Sequence, residues 1–461
     1  MNKTFLGIDL GTSAVKAVRV DEHGTVEKAR ATYDEISPQG WYRALEKALR
    51  QMNLEDVAAV GLSSQVGTYI INDRDVVSWS DGAGREETRQ LRQQFAPEVF
   101  IREISMNHPD IISYPLPRMM YFQKHYDHLD ALCQPKDWIC EKLTGNRVTD
   151  ICSMRGLANA ETGRYSVFLL DALGLDGSIL PPVNDPFAMA GQVTTLASRE
   201  TGLPEGLPVY IGMNDFYCAL LGVGMTEPGN AFDITGTSEH LGVLQPELDR
   251  DTGLASSPYL GAFVHYGVTA SSGASLDFGI KHFGLDEIRP EEALNRKAPV
   301  FLPYLNGERA PIFDPDARGV FFGINSNCEN TDMAYSVLEG NVFSLYSIWE
   351  KLGAGQAVEM ACAGGAARNP VLCQLKAEML NMPIYTLAEE DTSALGGAII
   401  AAVGHGAWGS VTDAAEKLVK RVKTYEPTGL LRPRLLERFE IYRGLYPALR
   451  ESYENWKEIQ V

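Results

Sequence analysis

Along this chain, short runs of apolar residues alternate with longer stretches in which apolar positions return every third or fourth residue, the pattern of buried strands joined by amphipathic helices. Residues 5–10 (FLGIDL) read as a strand covered on both faces, and GIDLGTSAVKAVRVD, 7–21, reads as that strand, a glycine turn and a second strand. Residues 38–52 predict an amphipathic helix with Pro38 near its start, 57–62 a short strand, and 66–71 a further strand closed by a turn at Asn72-Asp73. A charged, glycine-broken loop, VVSWSDGAGREE at 76–87, precedes a helix that begins near Glu87. Helices follow at 115–126 and 134–144, the second closed by Gly145, then a strand at 209–212 and a helix at 214–224 opening on Asn214 or Asp215.

The pattern then starts again. After a linker at 225–229, NAFDITGTSEHLGVL (230–244) repeats strand, Gly-Thr-Ser turn and strand, one residue out of register because Thr235 is inserted before the glycine. A strand near 263–269 and a helix at 275–283 come next, then a helix at 332–352 whose Leu338, Val342, Leu345 and Trp349 share one face. Residues 358–362 read as a strand, 363–367 (AGGAA) as a glycine turn, and Asn369-Pro370 as the cap and first residue of a helix. A helix of small residues spans 393–406, where Gly396-Gly397 lets a backbone or a flat ligand lie close, and a helical, mostly surface tail runs from 412 to 461. The two hairpins, about half a chain apart, indicate a duplicated unit. The division expected is 1–229 and 230–461, an α/β chain of two domains.

Composition sharpens this reading. The 461 residues exceed what one core usually holds, and a 45% hydrophobic, 22% charged sequence can bury two large ones. No apolar run reaches the roughly 18 to 20 residues of a membrane span, and the N-terminus leads straight into a core strand, so a cytoplasmic location is expected. Seven cysteines without a C-x-x-C pair argue against a zinc site or a disulfide framework. A net charge of −19 argues against a nucleic-acid or anionic-membrane partner, since those need a basic face. An anionic ligand must then be held by local groups and a divalent cation.

The first hairpin offers such groups. Asp9 is a carboxylate inside an apolar strand, where it calls for a cation or metal partner. Gly11 permits close approach of a ligand, and Thr12 and Ser13 set hydroxyls beside turn N–H groups, the equipment of a phosphate cradle or, in the simpler alternative, of a plain hairpin turn. Gly236, Thr237 and Ser238 repeat it. Gly364 and Gly365 before the Asn369 helix form a second kind of anion approach, or a tight strand-to-helix connection.

Taken together, these segments resemble the FGGY family of carbohydrate kinases within the actin-like ATPase superfamily, almost from end to end. GIDLGTSAVK and DITGTSEH resemble the family's two phosphate motifs, and FLPYLNGERAPIFDPDARGVFFGI (301–324) is similar to its signature segment. AGGAARNPVLCQLKAEMLNMPI with EDTSALGGAIIAAV is similar to its adenosine motif, with Ala366 where a third glycine is usual. IGMNDFYCALLGVG resembles the segment bearing the catalytic aspartate, which puts that role on Asp215. The resemblance implies two ribonuclease-H-like domains facing a cleft, with sugar on the N-terminal side and ATP on the C-terminal side.

It also implies ATP-dependent phosphorylation of a hydroxyl on a ketose, polyol or sugar acid. Asp215 is then the general base, kept ionised at neutral pH by the start of its helix, and Asp9 holds Mg²⁺. The turns Thr12-Ser13 and Thr237-Ser238 flank the phosphoryl group, with Lys16 adding charge unless it is a solvated strand residue. Gln65, Asp81, Arg85 and Glu86 are the candidates for sugar hydroxyls, and Phe216 for a specificity contact. The chain departs from xylulose kinases at Val66 and Gly67, where those carry Met-His, and at Ala83, where many members carry an arginine; Arg85, a turn further along, is the candidate to take its place. The expected partner is a small sugar, with a homodimer left open; the rival readings are an actin- or chaperone-like ATPase and a catalytically silent sugar sensor.

Overall fold

The first hairpin sets the frame of the structure, a computed structural model that describes residues 3–106, 108–109, 111–249, 252–285, 298–355 and 357–459. Thr4–Leu10 pairs antiparallel with Ala14–Asp21 and parallel with Val57–Ser64, so that Asp9 stands between Lys16 on one side and Ser63 on the other. The sheet has six strands in the order Met189–Gln192, Pro208–Asn214, Val57–Ser64, Thr4–Leu10, Ala14–Asp21, Gly24–Thr32. A seven-stranded sheet repeats the plan. Ala231–Thr235 pairs antiparallel with Glu239–Gln245 and parallel with Met360–Gly364, the same relation that Thr4–Leu10 has to its neighbours. The duplication read from the two hairpins is thus a duplication of sheet topology.

Two compact units result, but they do not divide as two consecutive halves. The first comprises Met1–Thr226 with Asp391–Lys420, and the second Glu227–Glu390 with Arg421–Val461. Residues 391–420, assigned by the sequence reading to the second half, pack with the first. The cause is close backbone contact. A Cβ on Gly7 would lie 1.8 Å from the Ala394 carbonyl oxygen, one on Gly61 2.0 Å from that of Gly397, and one on Gly396 1.9 Å from that of Cys218. Helix Thr392–Gly404 therefore lies directly on strands Thr4–Leu10 and Val57–Ser64 and on helix Asp215–Gly222, and Gly396-Gly397 admits backbone rather than a flat ligand.

The helices start where their caps place them. Ser37 accepts from Gly40 N at 3.0 Å and Pro38 opens helix Pro38–Leu49, whose Trp41, Leu45 and Leu49 enter the first core. Gly145, at φ 79°, ends Pro135–Thr144, and Asn72 and Asp73 both take positive φ in the expected turn.

Three expectations need correction. Residues 66–68 are not strand: Gly67 has φ 77°, and the strand is Tyr69–Ile71. The strand expected at 358–362 is Met360–Gly364, because Val358 is exposed. The tail is more than surface: Arg421–Tyr425 is an edge strand of the second sheet, and Leu435, Phe439, Tyr442 and Tyr453 of helix Arg432–Ile459 are buried in the second core, while the last two residues of the tail lie outside the described residues.

Candidate active site

In the first unit Asp9 is buried, and its Oδ1 accepts a 2.8 Å hydrogen bond from Ser63 Oγ. Burial raises its carboxyl above the usual range; Ser63 and Lys16 oppose the rise and the charge of Asp391 adds to it. Lys16 is neither free nor merely solvated, since its Nζ lies 2.8 Å from Asp391 Oδ1. Asp391, the residue before helix Thr392–Gly404, went unread in the sequence because its partners are more than 360 residues away.

The turn after Asp9 is held from behind. Gly11 N–H donates to Ala14 O at 3.1 Å, and Gly11 O accepts from Tyr33 Oη at 2.8 Å and from Gln65 Nε2 at 3.4 Å. Thr12 and Ser13 are exposed at its tip. Gln65, expected among the sugar ligands, is buried; its Oε1 takes a hydrogen bond from Thr68 Oγ1 at 3.3 Å, and Thr68 Oγ1 accepts from Trp79 N at 3.1 Å. Its amide therefore links the turn to the charged loop.

Asp215 is the first residue of helix Asp215–Gly222, and the cap is Asn214, whose side chain accepts from Tyr217 N at 3.2 Å. That frees the Asp215 carboxylate from capping; its Oδ1 instead accepts from Phe216 N at 2.8 Å. The expectation that the helix start keeps it well ionised at neutral pH is corrected. Removal from water, then the charge of Asp9, push its carboxyl up to about 7 against the N–H groups of Phe216 and Val66. Phe216 is half-buried, with its ring 5.4 Å from that of Tyr217 in an edge contact.

On the loop, Asp81 is exposed, with Oδ1 accepting from Ala83 N at 2.7 Å. Arg85 and Glu86 are exposed on the first turn of helix Arg85–Gln94, where Glu86 pairs with Arg89. The guanidinium at Asp81 is that of Arg118, with Nη1 3.8 Å from Asp81 Oδ1. Gly67, where xylulose kinases have histidine, has no room for a side chain: a Cβ there would lie 2.7 Å from Ser113 Oγ.

In the second unit Gly236 N–H donates to Ser238 O at 2.7 Å, closing a turn with Gly236 and Thr237 exposed. Behind it lies a fully buried ionic cluster. Lys376 Nζ binds Asp233 Oδ2 at 2.5 Å and Glu239 Oε1 at 2.7 Å; Glu239 also accepts from Thr235 Oγ1 and Ser272 Oγ, each at 2.7 Å. Glu239 stays well ionised while Asp233 is pushed toward its protonated form, burial and the neighbouring carboxylate both acting on it.

Glu308 of the signature segment is a further buried acid, with its carboxyl up to about 7; it accepts from Ala270 N at 2.6 Å, Arg309 N at 2.7 Å and Ser344 Oγ at 3.2 Å. Gly364 has φ 81° and Gly365 is exposed with open space where a Cβ would stand, whereas the Ala366 methyl is buried in the core and the Asn369 side chain caps Leu372 N at 2.9 Å.

Comparison with known proteins matches the sequence to a family in both halves. Residues 4–222 match the FGGY family of carbohydrate kinases, N-terminal domain, and residues 232–405 its C-terminal domain. A xylulose kinase of Staphylococcus epidermidis is 29% identical over 504 residues, spanning 100% of this chain and 98% of that protein. A xylulose kinase of Bacillus subtilis is 25% identical over 490 residues, spanning 97% of this chain and 98% of that protein. Among solved structures, a gluconate kinase from Lactobacillus acidophilus shares the fold with a TM-score of 0.85 at 23% identity, over 99% of this chain and 100% of that one.

Proposed function

This chain belongs to the FGGY family of carbohydrate kinases, which transfer a phosphoryl group from ATP to a sugar, and from that premise we propose that Asp215 is the general base of the transfer. The observation that carries the assignment is its setting: a half-buried carboxylate at the start of a helix, relieved of capping by Asn214, with its carboxyl up to about 7. A base titrating near the working pH is both available and strong enough to take a hydroxyl proton. Phosphoryl transfer asks little more of the protein than this, positioning and charge neutralisation.

Asp81 and Phe216 are the sugar contacts, one through a carboxylate and one through a ring face. Gln65 supports the site from within. The turns Gly11-Thr12-Ser13 and Gly236-Thr237-Ser238 bind phosphate through backbone N–H and hydroxyl groups, and Gly364-Gly365 approaches the nucleotide. The sugar belongs to the first unit and ATP to the second.

Mg²⁺ fits Asp9. Among the described residues no three acidic, histidine or cysteine side chains gather to hold a metal alone, but Mg²⁺ is ordinarily held by one or two carboxylates with water and phosphate oxygens. A carboxylate destabilised by burial and by Asp391 is one that a divalent cation would discharge. When bound, the ion would neutralise the charge that builds on the phosphate oxygens. The actin- or chaperone-like alternative is not favoured, since the family match runs through both halves.

The test is ATP turnover with a panel of ketoses, polyols and sugar acids that includes xylulose, gluconate and glycerol. Sugar-dependent ADP release that Asp215→Asn reduces by about 10²-fold or more supports the reading. A variant keeping more than about a tenth of the parental kcat removes the base from Asp215. Hydrolysis independent of sugar points instead to a nucleotide-driven machine.

A further inference from the structure

Arg118 is on the first turns of helix Pro115–His125 and is completely buried. An arginine without access to water normally has its charge matched by a carboxylate and its donors filled. Here Nη2 reaches two backbone carbonyls of the charged loop, Ser78 O at 2.9 Å and Asp81 O at 3.0 Å, and Nη1 faces the Asp81 carboxylate at 3.8 Å. Among the described residues Nε and Nη1 make no hydrogen bond, and Asp81 is its one ion pair. Burial works against the charge and Asp81 works for it. The loop is pinned elsewhere by Trp79 N on Thr68 Oγ1 at 3.1 Å and by Ala83 N on Asp81 Oδ1 at 2.7 Å, and Trp79 itself stays 42% exposed.

We propose that Arg118 is a positioning residue for sugar recognition: from a separate helix it gives Asp81 the arginine that the loop lacks at Ala83, and it fixes the 78–81 segment so that Asp81 and Trp79 face the substrate. The geometry fits a role through Asp81 rather than direct contact, because a fully buried guanidinium has no surface to offer a sugar. The guanidinium holds its two terminal nitrogens apart in a rigid fork, one on the two carbonyls and one toward the carboxylate, whereas a lysine would have to serve all three from a single nitrogen. The inference rests on the reading of Asp81 as a sugar ligand.

The experiment compares KM and kcat for ATP, and for the sugar of highest kcat/KM in the panel above, in Arg118→Lys, Arg118→Met, Asp81→Asn and the Arg118→Lys/Asp81→Asn double variant, with Tm for each. Arg118→Lys should raise the sugar KM by about tenfold, with kcat and the ATP KM changed by less than about twofold. The double variant should be little worse than Asp81→Asn alone, since the two act as one unit.

If Asp81→Asn raises the sugar KM but Arg118→Lys does not, or if the two effects add, the proposal falls while the Asp81 reading stands. An unchanged sugar KM in Asp81→Asn overturns both. Arg118→Met is expected to lose more stability, so the lysine variant carries the test; a lysine variant that does not fold would make Arg118 a core residue and overturn the proposal.

Discussion

The charge of Asp9 raises the carboxyl of Asp215, second only to burial among the causes that bring it to about 7. Two carboxylates are therefore coupled at the start of the reaction: the one read as a metal ligand adjusts the one read as the base. Asp9→Asn removes a negative charge without changing shape, so the Asp215 carboxyl should fall by about one unit or less. At saturating Mg²⁺ the acid limb of the kcat profile should move to lower pH, even though kcat itself drops. A limb that stays in place would show that Asp9 does not govern Asp215.

The same shift has a signature in stability. Below the ordinary carboxylate pKa of roughly 4, Asp215 is protonated folded or unfolded; between roughly 4 and about 7 the folded state keeps a proton that the unfolded state has lost. Its contribution to stability thus falls as pH rises through that window and stays low above it. Asp215→Asn should raise Tm over the parent at pH 8 and leave it nearly unchanged at pH 4, by scanning calorimetry without ligands. An equal gain at both pH values would assign the effect to packing.

Among the described residues Lys376 is the only cation paired with Asp233 and Glu239, and all three are buried. Replacing it by methionine leaves acids in the core without their partner, at a cost of about 3 to 5 kcal/mol, whereas Lys376→Met with Glu239→Gln and Asp233→Asn should recover much of that. Because Glu239, the residue after the 236–238 turn, holds both Thr235 before the turn and Ser272 at the start of the next helix, the single variant should also raise the ATP KM more than the sugar KM. Steady-state kinetics beside urea melts read both effects.

Glycines offer three substitutions, two of one sign and one of the other. Gly61→Ala and Gly396→Ala place a Cβ about 2 Å from a facing carbonyl oxygen and should each destabilise by about 1 to 3 kcal/mol or more. Gly444, inside helix Arg432–Ile459, has nothing within 4 Å of its Cβ position, so Gly444→Ala should stabilise by about 0.5 to 1 kcal/mol. Tm measurements on the three variants decide it.

What was legible in the sequence was local. The hairpins, the Pro38 and Asn369-Pro370 helix starts, and the Asn72-Asp73 turn all stand as read, because a turn or cap is decided within about four residues. What escaped was set across the chain. Arg118 reaches a loop 37 to 40 residues away, Asp391 meets Lys16 across nearly the whole sequence, and neither has a local pattern that marks it. The state of Asp215 escaped for a related reason: its helix start was visible, but the field of Asp9 exists only once the fold brings the two together. Burial of Leu435, Phe439 and Tyr442 was missed in a tail whose many charges suggested solvent.

The glycine crossing also fixes an order of events during synthesis. The strands that carry Gly7 and Gly61 leave the ribosome early, yet the helix that lies against them is residues 392 to 404, after more than four-fifths of the chain has been made. Until then one face of the first sheet is unsealed and rich in apolar strand, the condition under which nascent chains recruit holding chaperones or aggregate. A fragment ending near residue 390 would reproduce that state permanently. The unit that begins first is therefore completed only after the whole second hairpin has emerged, and its maturation is timed by translation of a distant segment.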